Sequence, residues 1–123
     1  DEDVIAGQGT IGLEILDQLS DADAVVVPIG GGGLIAGVAY AIKHLNPSIK
    51  VYGVQAENAS AMAQSLHGHK IVALDRVATF ADGIAVKAPG ENTFEYCKKY
   101  VDEMITVTED ELVYTKSWMF RQR

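Results

Sequence analysis

Residues 25–37, VVVPIGGGGLIAG, place four consecutive glycines between a valine-rich run and the start of a helical pattern. The run over 24–29 is apolar without alternation, which is typical of a parallel-sheet strand that is buried on both faces. After the glycines, apolar residues recur at helical spacing up to residue 45, and Asn46 and Pro47 then end the pattern. Four glycines at such a junction indicate either positive φ angles or a close approach of the backbone to another group. The stretch therefore predicts a buried strand, a glycine loop and a helix in succession.

The segments around this stretch continue the alternation of helices and strands. Residues 50–56, KVYGVQA, are predicted to form a second strand, parallel to the first because a helix connects them. The other predicted elements are a helix capped by Thr10 that ends near Leu19, a helix capped by Asn58 that ends at Gly68, a helix over about 93–101, a strand over 104–107, and a last helix that begins at the capping box of Thr108 and Glu111. Together they predict an α/β fold of three layers, in which helices flank a parallel sheet.

The composition excludes several classes of partner. The chain has 123 residues, of which 48% are hydrophobic, and a formal net charge of −7. It is therefore expected to form one globular core and to lack the basic surface that nucleic acids require. Its apolar runs are too short for the ~20 residues of a membrane span. The single cysteine, Cys97, excludes an internal disulfide, is expected to be a small buried hydrophobe, and favours a cytoplasmic location.

The glycine loop has the pattern of a phosphate site. Successive amides at a strand-to-helix junction can bind a phosphate without any basic side chain, because the helix dipole adds positive charge at the same place. Triphosphate hydrolysis is excluded, since residues 34–35 are Leu and Ile where a Walker motif needs lysine and serine or threonine. A dinucleotide fingerprint is an alternative, because Gly31, Gly33 and Ala36 match its spacing. Glu57 ends the next strand, where that motif binds a ribose hydroxyl, so both kinds of phosphate ligand stay open.

Four motifs in a consistent order point to a family. They are AGQGTIGLE at 6–14, the glycine stretch at 25–37, ADG at 81–83 and VTEDE at 107–111. With these motifs the sequence resembles the threonine dehydratase and serine racemase group of pyridoxal-phosphate enzymes, and above all the catabolic type of threonine ammonia-lyase. The resemblance covers residues 1–115, which are interpreted as part of the large domain of such a lyase. Residues 116–123 are interpreted as a divergent or truncated C-terminal end.

The resemblance implies a partial large domain of a fold type II pyridoxal-phosphate enzyme, a lyase of amino-acid metabolism and isoleucine biosynthesis. The implied reaction is elimination from a small amino-acid substrate: L-threonine would yield 2-oxobutanoate and ammonia, and L-serine would yield pyruvate. The residues that correspond to the family's cofactor-phosphate loop are Gly30, Gly31, Gly32, Gly33 and Leu34. Gly83 matches a family position near the cofactor ring, and is equally consistent with an ordinary turn glycine.

Parts of the family's catalytic machinery have no counterpart in this sequence. The Schiff-base lysine of the family lies in a Ser-x-Lys-x-Arg-Gly motif that does not occur here, so no catalytic residue is assigned and the chain alone is expected to be inactive. Its lysines are interpreted as solvated surface charges: Lys43, Lys50, Lys70, Lys87, Lys98, Lys99 and Lys116. No metal site is assigned, because Ala63 stands where serine racemase relatives have a second carboxylate after the one at Glu57.

The missing parts also bear on assembly. A fragment without its neighbouring strands is expected to expose sheet edges, and so to form homo-oligomers or to associate with the missing segments of the enzyme. A lyase fragment that keeps the phosphate loop is the first hypothesis. A noncatalytic assembly module and a dinucleotide-binding domain for NAD are the alternatives.

Overall fold

The computed structural model of this chain describes residues 2–57, 60–68, 71 and 91–114. Its elements, in chain order, are α1 (Glu2–Gln18), β1 (Ala24–Pro28), α2 (Gly33–Leu45), β2 (Lys50–Ala56), α3 (Ala61–Gly68), α4 (Glu91–Tyr100) and β3 (Glu103–Val107). Residues 109–114 are helical as well. The predicted α/β fold with a parallel sheet flanked by helices is confirmed. In the part of the chain that is described, no helix has both the length and the apolar character needed to cross a membrane.

The three strands form one sheet in the order β1-β2-β3, and both pairs are parallel. Val26 of β1 pairs with Tyr52 of β2, which in turn pairs with Glu103 of β3. The predicted strand over 50–56 is confirmed residue for residue, and that over 104–107 begins one residue earlier. The helix α2 connects β1 to β2, as a parallel pair requires.

One face of the sheet lies under the helices. Val27 and Val51 are buried there, and a side chain on Gly53 would collide with Ile29, with Met104 and with Ile35 of α2. The side-chain ends of Ile29, Met104 and Ile35 therefore lie directly on the backbone of the central strand at Gly53. The buried cluster between sheet and helices comprises Val27, Ile29, Ile35, Val38, Ala39, Ile42, Ile49, Val51, Met62, Phe94 and Cys97.

The opposite face of the sheet is partly open. Val26 in β1 is 61% exposed, and Ile105 in β3 is 41% exposed. The expectation that β1 is buried on both faces is therefore wrong for this chain. The reason lies in the packing, because the buried cluster with its helical members lies on the side of Val27, and alternate residues of a strand face opposite sides.

Helix α1 begins at Glu2, so the prediction that Thr10 caps its start is wrong. Inside the helix, the Thr10 hydroxyl donates instead to the carbonyl oxygen of Gly7 at 2.8 Å, one turn back. The glycines near it lower helix propensity but permit close packing. A side chain on Gly37 of α2 would meet the carbonyl of Ile5 and lie 2.6 Å from the nitrogen of Gly9, so the two helix backbones are in direct contact. Tertiary packing thus extends the helix beyond its local signal.

The capping box at the end of the described chain is confirmed. The N–H of Thr108 donates to Oε1 of Glu111 at 3.1 Å, and the N–H of Glu111 donates to the Thr108 hydroxyl at 3.1 Å. Helix α3 begins at Ala61, and the predicted cap Asn58 lies outside the described residues. Residues 72–90 and 115–123 also lie outside them, and with them the proposed boundary at 115.

Lys43 joins α2 to the connection between α4 and β3. Its Nζ lies 2.6 Å from Oδ2 of Asp102 and donates to the carbonyl of Ile49 at 2.8 Å. The same carboxylate oxygen accepts the N–H of Val51 at 2.7 Å. The interpretation of Lys43 as a solvated surface charge is wrong, because its side chain is only 14% exposed and is paired.

The charge of Asp102 is favoured by these contacts. Partial burial raises the pKa of its carboxyl group, but the hydrogen bonds from Lys43 and from the N–H of Val51, with the attraction of Lys43 and Lys50, outweigh it. The pKa of Asp102 is therefore held below its ordinary value of 3.8. The pair links α2 to the amino-terminal end of the central strand β2, near Val51.

Candidate functional site

The glycine loop lies between the carboxyl end of β1 and the first turn of α2. Ile29 keeps the strand pairing, since its N–H donates to the carbonyl of Val54 at 2.9 Å. Gly32 is the N-cap of α2 and has φ +102° and ψ −1°, a left-handed conformation. Residues with a side chain rarely adopt this conformation, so the turn requires a glycine at this position.

The loop has one closed side and one open side. A side chain on Gly32 would lie 2.7 Å from Cε of Met62 in α3 and 2.9 Å from Cβ of Thr93 in α4. A side chain on Gly31 would have none of the described residues within 4 Å. The helices α3 and α4 therefore close the loop from within, while the other side at Gly31 leaves room for a group to approach the backbone.

Three carbonyl groups of the loop are bound by donors of the protein. The hydroxyl of Thr93 donates to the carbonyl of Gly31 at 2.7 Å, and the N–H of Ala36 donates to the carbonyl of Gly32 at 2.9 Å. At the start of the loop, Nε2 of Gln55 donates to the carbonyl of Ile29 at 3.4 Å. Gln55 is itself held, because its Oε1 accepts an N–H from α3, that of Ala63, at 2.9 Å.

The orientation of the carbonyls determines that of the amides. The peptide bonds of the described residues are trans, and in a trans peptide the N–H points opposite to the C=O. The N–H groups of Gly30 and Gly32 therefore point away from Gln55 and Thr93, and the N–H of Gly33 points along the axis of α2, out of its amino-terminal end. Each of these N–H groups belongs to a peptide whose carbonyl already accepts a hydrogen bond from the protein.

Charge at the loop suits an anion. The first-turn amides of a helix have no acceptor within the helix, and the dipole places partial positive charge there. The first turn of α2 contains no acidic residue that would compensate this charge. Residues 30–34 contain no ionisable side chain, so the loop can bind and orient an anion but cannot transfer a proton. These features fit a phosphate group, which needs several amide donors and close backbone approach.

The remaining predicted residues have different environments. Leu34 is half-buried against the core, and Gly83 lies outside the described residues. Glu57, exposed, lies at the carboxyl end of β2, and its carbonyl accepts the hydroxyl of Ser60 at 2.9 Å. Cys97 is buried, and burial raises the pKa of its thiol to about 12, which confirms its interpretation as a small buried hydrophobe. Within the described ranges, no group of three or more His, Cys, Asp or Glu side chains could hold a metal ion.

Three residues that shape the loop were missed by the sequence reasoning: Gln55, Met62 and Thr93. Gln55 had a usable signal, because a buried polar side chain in an otherwise apolar strand requires hydrogen-bond partners. The sequence around Thr93 indicates only the approximate start of a helix and gives no signal of a contact with the loop. Its partner Gly31 lies 62 residues away, so no local pattern connects them.

The sequence of this chain is similar to those of known pyridoxal-phosphate enzymes. A family model described as "Pyridoxal-phosphate dependent enzyme" matches residues 1–123. The chain is 58% identical over 112 residues to the L-threonine ammonia-lyase of Thermotoga maritima, covering 91% of this chain and 28% of that protein. It is 54% identical over 112 residues to the catabolic L-threonine dehydratase of Escherichia coli K12, covering 91% of this chain and 34% of that protein.

A solved structure gives the same result at the level of the fold. The crystal structure of a threonine deaminase from T.th. superposes with a TM-score of 0.94 at 41% identity, covering 98% of this chain and 45% of that one. The chain therefore spans about a third of the two curated relatives and less than half of the solved one.

Proposed function

The chain belongs to the family of pyridoxal-phosphate dependent enzymes, and from this premise we propose that residues 30–34 bind the phosphate of pyridoxal 5'-phosphate in an L-threonine ammonia-lyase. The observation that carries the proposal is the arrangement of the loop. The carbonyls of Gly31 and Gly32 accept hydrogen bonds from the protein, and the described residues leave space beside Gly31 for a ligand. The names of the relatives support threonine as the substrate and loss of ammonia as the reaction, and 2-oxobutanoate is the product that we propose to remain. L-serine is the second candidate substrate.

The chain's own residues bind and orient. The amides of Gly30, Gly32 and Gly33 would donate to the phosphate, and the dipole of α2 would stabilise its charge. When the cofactor is bound, its pyridinium ring supplies an electron sink for the elimination. Gly31 gives the phosphate room, and Gly83 is proposed to lie near the ring.

Catalysis needs a base that the loop does not contain. Because the sequence has no Ser-x-Lys-x-Arg-Gly motif, we expect the chain alone to bind the cofactor phosphate without turning over threonine. A cytoplasmic location is proposed from the single cysteine. Association with further copies or with other segments of the enzyme is proposed from the exposed Val26 and Ile105 on one sheet face. The same exposure favours an assembly module as the second candidate function.

The test is an amide NMR titration of the 15N-labelled chain with pyridoxal 5'-phosphate. Pyridoxal without phosphate is the matched control, since it shares the aldehyde that reacts with surface lysines. We expect saturable shifts at residues 30–34 with the phosphate ester and with inorganic phosphate, but not with pyridoxal. Equal responses to pyridoxal would contradict the phosphate site. Stronger responses to NAD that extend to Glu57 would favour the dinucleotide alternative.

A parallel assay addresses the reaction. The chain is incubated with pyridoxal 5'-phosphate and L-threonine, and the 2-oxobutanoate formed is compared with that from cofactor and L-threonine without the chain. We expect no formation of 2-oxobutanoate above that background. Turnover by the chain would refute the expectation that the missing lysine motif is required.

A further inference from the structure

We propose that Thr93 is a positioning residue that orients the amide of Gly32 toward the bound phosphate. The inference rests on the proposed function and adds a residue outside the loop to it. The hydroxyl of Thr93 donates to the carbonyl of Gly31 at 2.7 Å, across 62 residues of sequence. Thr93 is 8% exposed, in the first turn of α4, whose Phe94 and Cys97 belong to the core.

The peptide between Gly31 and Gly32 needs such a contact. A peptide plane can flip by coupled changes of ψ in the first residue and φ in the second, and side chains normally restrict these changes. Both residues here are glycines, for which either sign of φ is accessible at little cost. Local sterics therefore do not determine which way this peptide faces.

The hydrogen bond selects one of the two orientations. With its carbonyl bound to Thr93, the peptide directs the N–H of Gly32 away from α4. In the flipped orientation the carbonyl oxygen, which carries partial negative charge, would face the side from which an anion approaches. Thr93 thus determines whether this peptide attracts or repels a phosphate.

Packing reinforces the selection. The Cβ of Thr93 lies only 2.9 Å from the position that a side chain on Gly32 would occupy, so the threonine also closes the inner side of the loop. A threonine in a helix has few side-chain rotamers, so its hydroxyl is held in place before any ligand binds. Shape and hydroxyl can be separated experimentally, because valine preserves the first and serine preserves the second.

The test compares Thr93→Val, Thr93→Ser and wild type by NMR titration with inorganic phosphate. Ser65→Ala is the matched control, since the buried hydroxyl of Ser65 donates to the carbonyl of Ala61 at 2.6 Å, within α3. We expect Thr93→Val to bind phosphate about three- to tenfold more weakly, the range for one lost hydrogen bond. Thr93→Ser and Ser65→Ala are expected to bind within about twofold of wild type, because each keeps the bond to Gly31. The 13C shift of the Gly31 carbonyl should move in Thr93→Val alone.

The outcomes separate this inference from the proposed function. A wild-type chain that shows no phosphate response would overturn both. A wild-type response that Thr93→Val leaves unchanged, or that Ser65→Ala reduces equally, would overturn only the positioning role. Residual dipolar couplings on the wild-type chain give a test independent of any variant. The orientation of the Gly31–Gly32 peptide should be the same with and without phosphate, and a reorientation on binding would overturn the inference.

Discussion

A methyl group added at Gly32 would meet two separate penalties. The backbone has φ +102°, and a left-handed conformation costs an L-residue about 1–2 kcal/mol. The new Cβ would also lie 2.7 Å from Cε of Met62 and 2.9 Å from Cβ of Thr93. The methionine end is flexible and can move, but the threonine Cβ is carried by a helix, so overpacking adds about 1–3 kcal/mol.

The expected loss of stability for Gly32→Ala is therefore about 2–5 kcal/mol, the sum of the two effects. This is a large part of the roughly 5–15 kcal/mol by which a domain is stable. In urea denaturation followed by circular dichroism, the midpoint should fall by roughly 1–3 M.

Gly31→Ala is the matched control for this experiment. Its Cβ would lie more than 4 Å from the other residues that the structure describes, and among the described glycines only Gly32 has a positive φ. We expect its stability to remain within about 0.5 kcal/mol of wild type. Equal midpoints for Gly31→Ala and Gly32→Ala would refute the reasoning that conformation and packing at Gly32 require glycine.

Two further predictions concern the scaffold of the loop. In the same urea assay, Gly37→Ala should lower stability by about 1–3 kcal/mol, because its Cβ would meet the backbone of α1 at the carbonyl of Ile5. Gly7→Ala, whose Cβ would meet no described residue within 4 Å, should instead raise stability by about 0.5–1 kcal/mol, and shifts of the same sign would contradict the assigned helix contact. Because the pKa of Asp102 is lowered in the folded chain, its carboxylate stabilises the fold above about pH 4, and this contribution is lost as the pH falls through the folded value. Asp102→Asn should thus be less stable than wild type by about 1 kcal/mol at pH 7, and the difference should shrink as the pH falls below about 4, whereas a constant difference would exclude this linkage.

Local patterns were sufficient for the elements that contain the loop. The valine-rich strand, the glycine junction and the helical spacing up to residue 45 correctly predict β1, the loop and α2. The capping box at Thr108 was also predictable, because both partners lie within four residues of each other. In these cases the physical cause and its signal occupy the same short stretch of chain.

Local patterns failed where long-range packing decides the outcome. Thr10 has the side chain of a helix cap, yet α1 begins at Glu2 and packs through Gly9 against Gly37 of α2. Lys43 has the composition of a surface residue, yet it is paired with Asp102, which lies far along the chain. Neither contact can be recognised from the residues that adjoin it in sequence.

The sequence by itself determined the order of the elements, the parallel sheet and a glycine loop suited to a phosphate. Only the tertiary structure decided how the loop amides are oriented. That orientation depends on Thr93 and Gln55, which hold the carbonyls of Gly31 and Ile29. Glycine leaves each peptide plane free to turn, so its direction follows from whichever donors the fold brings to it. Hydrogen bonds between residues so distant in the chain exist only once the sheet and helices have packed.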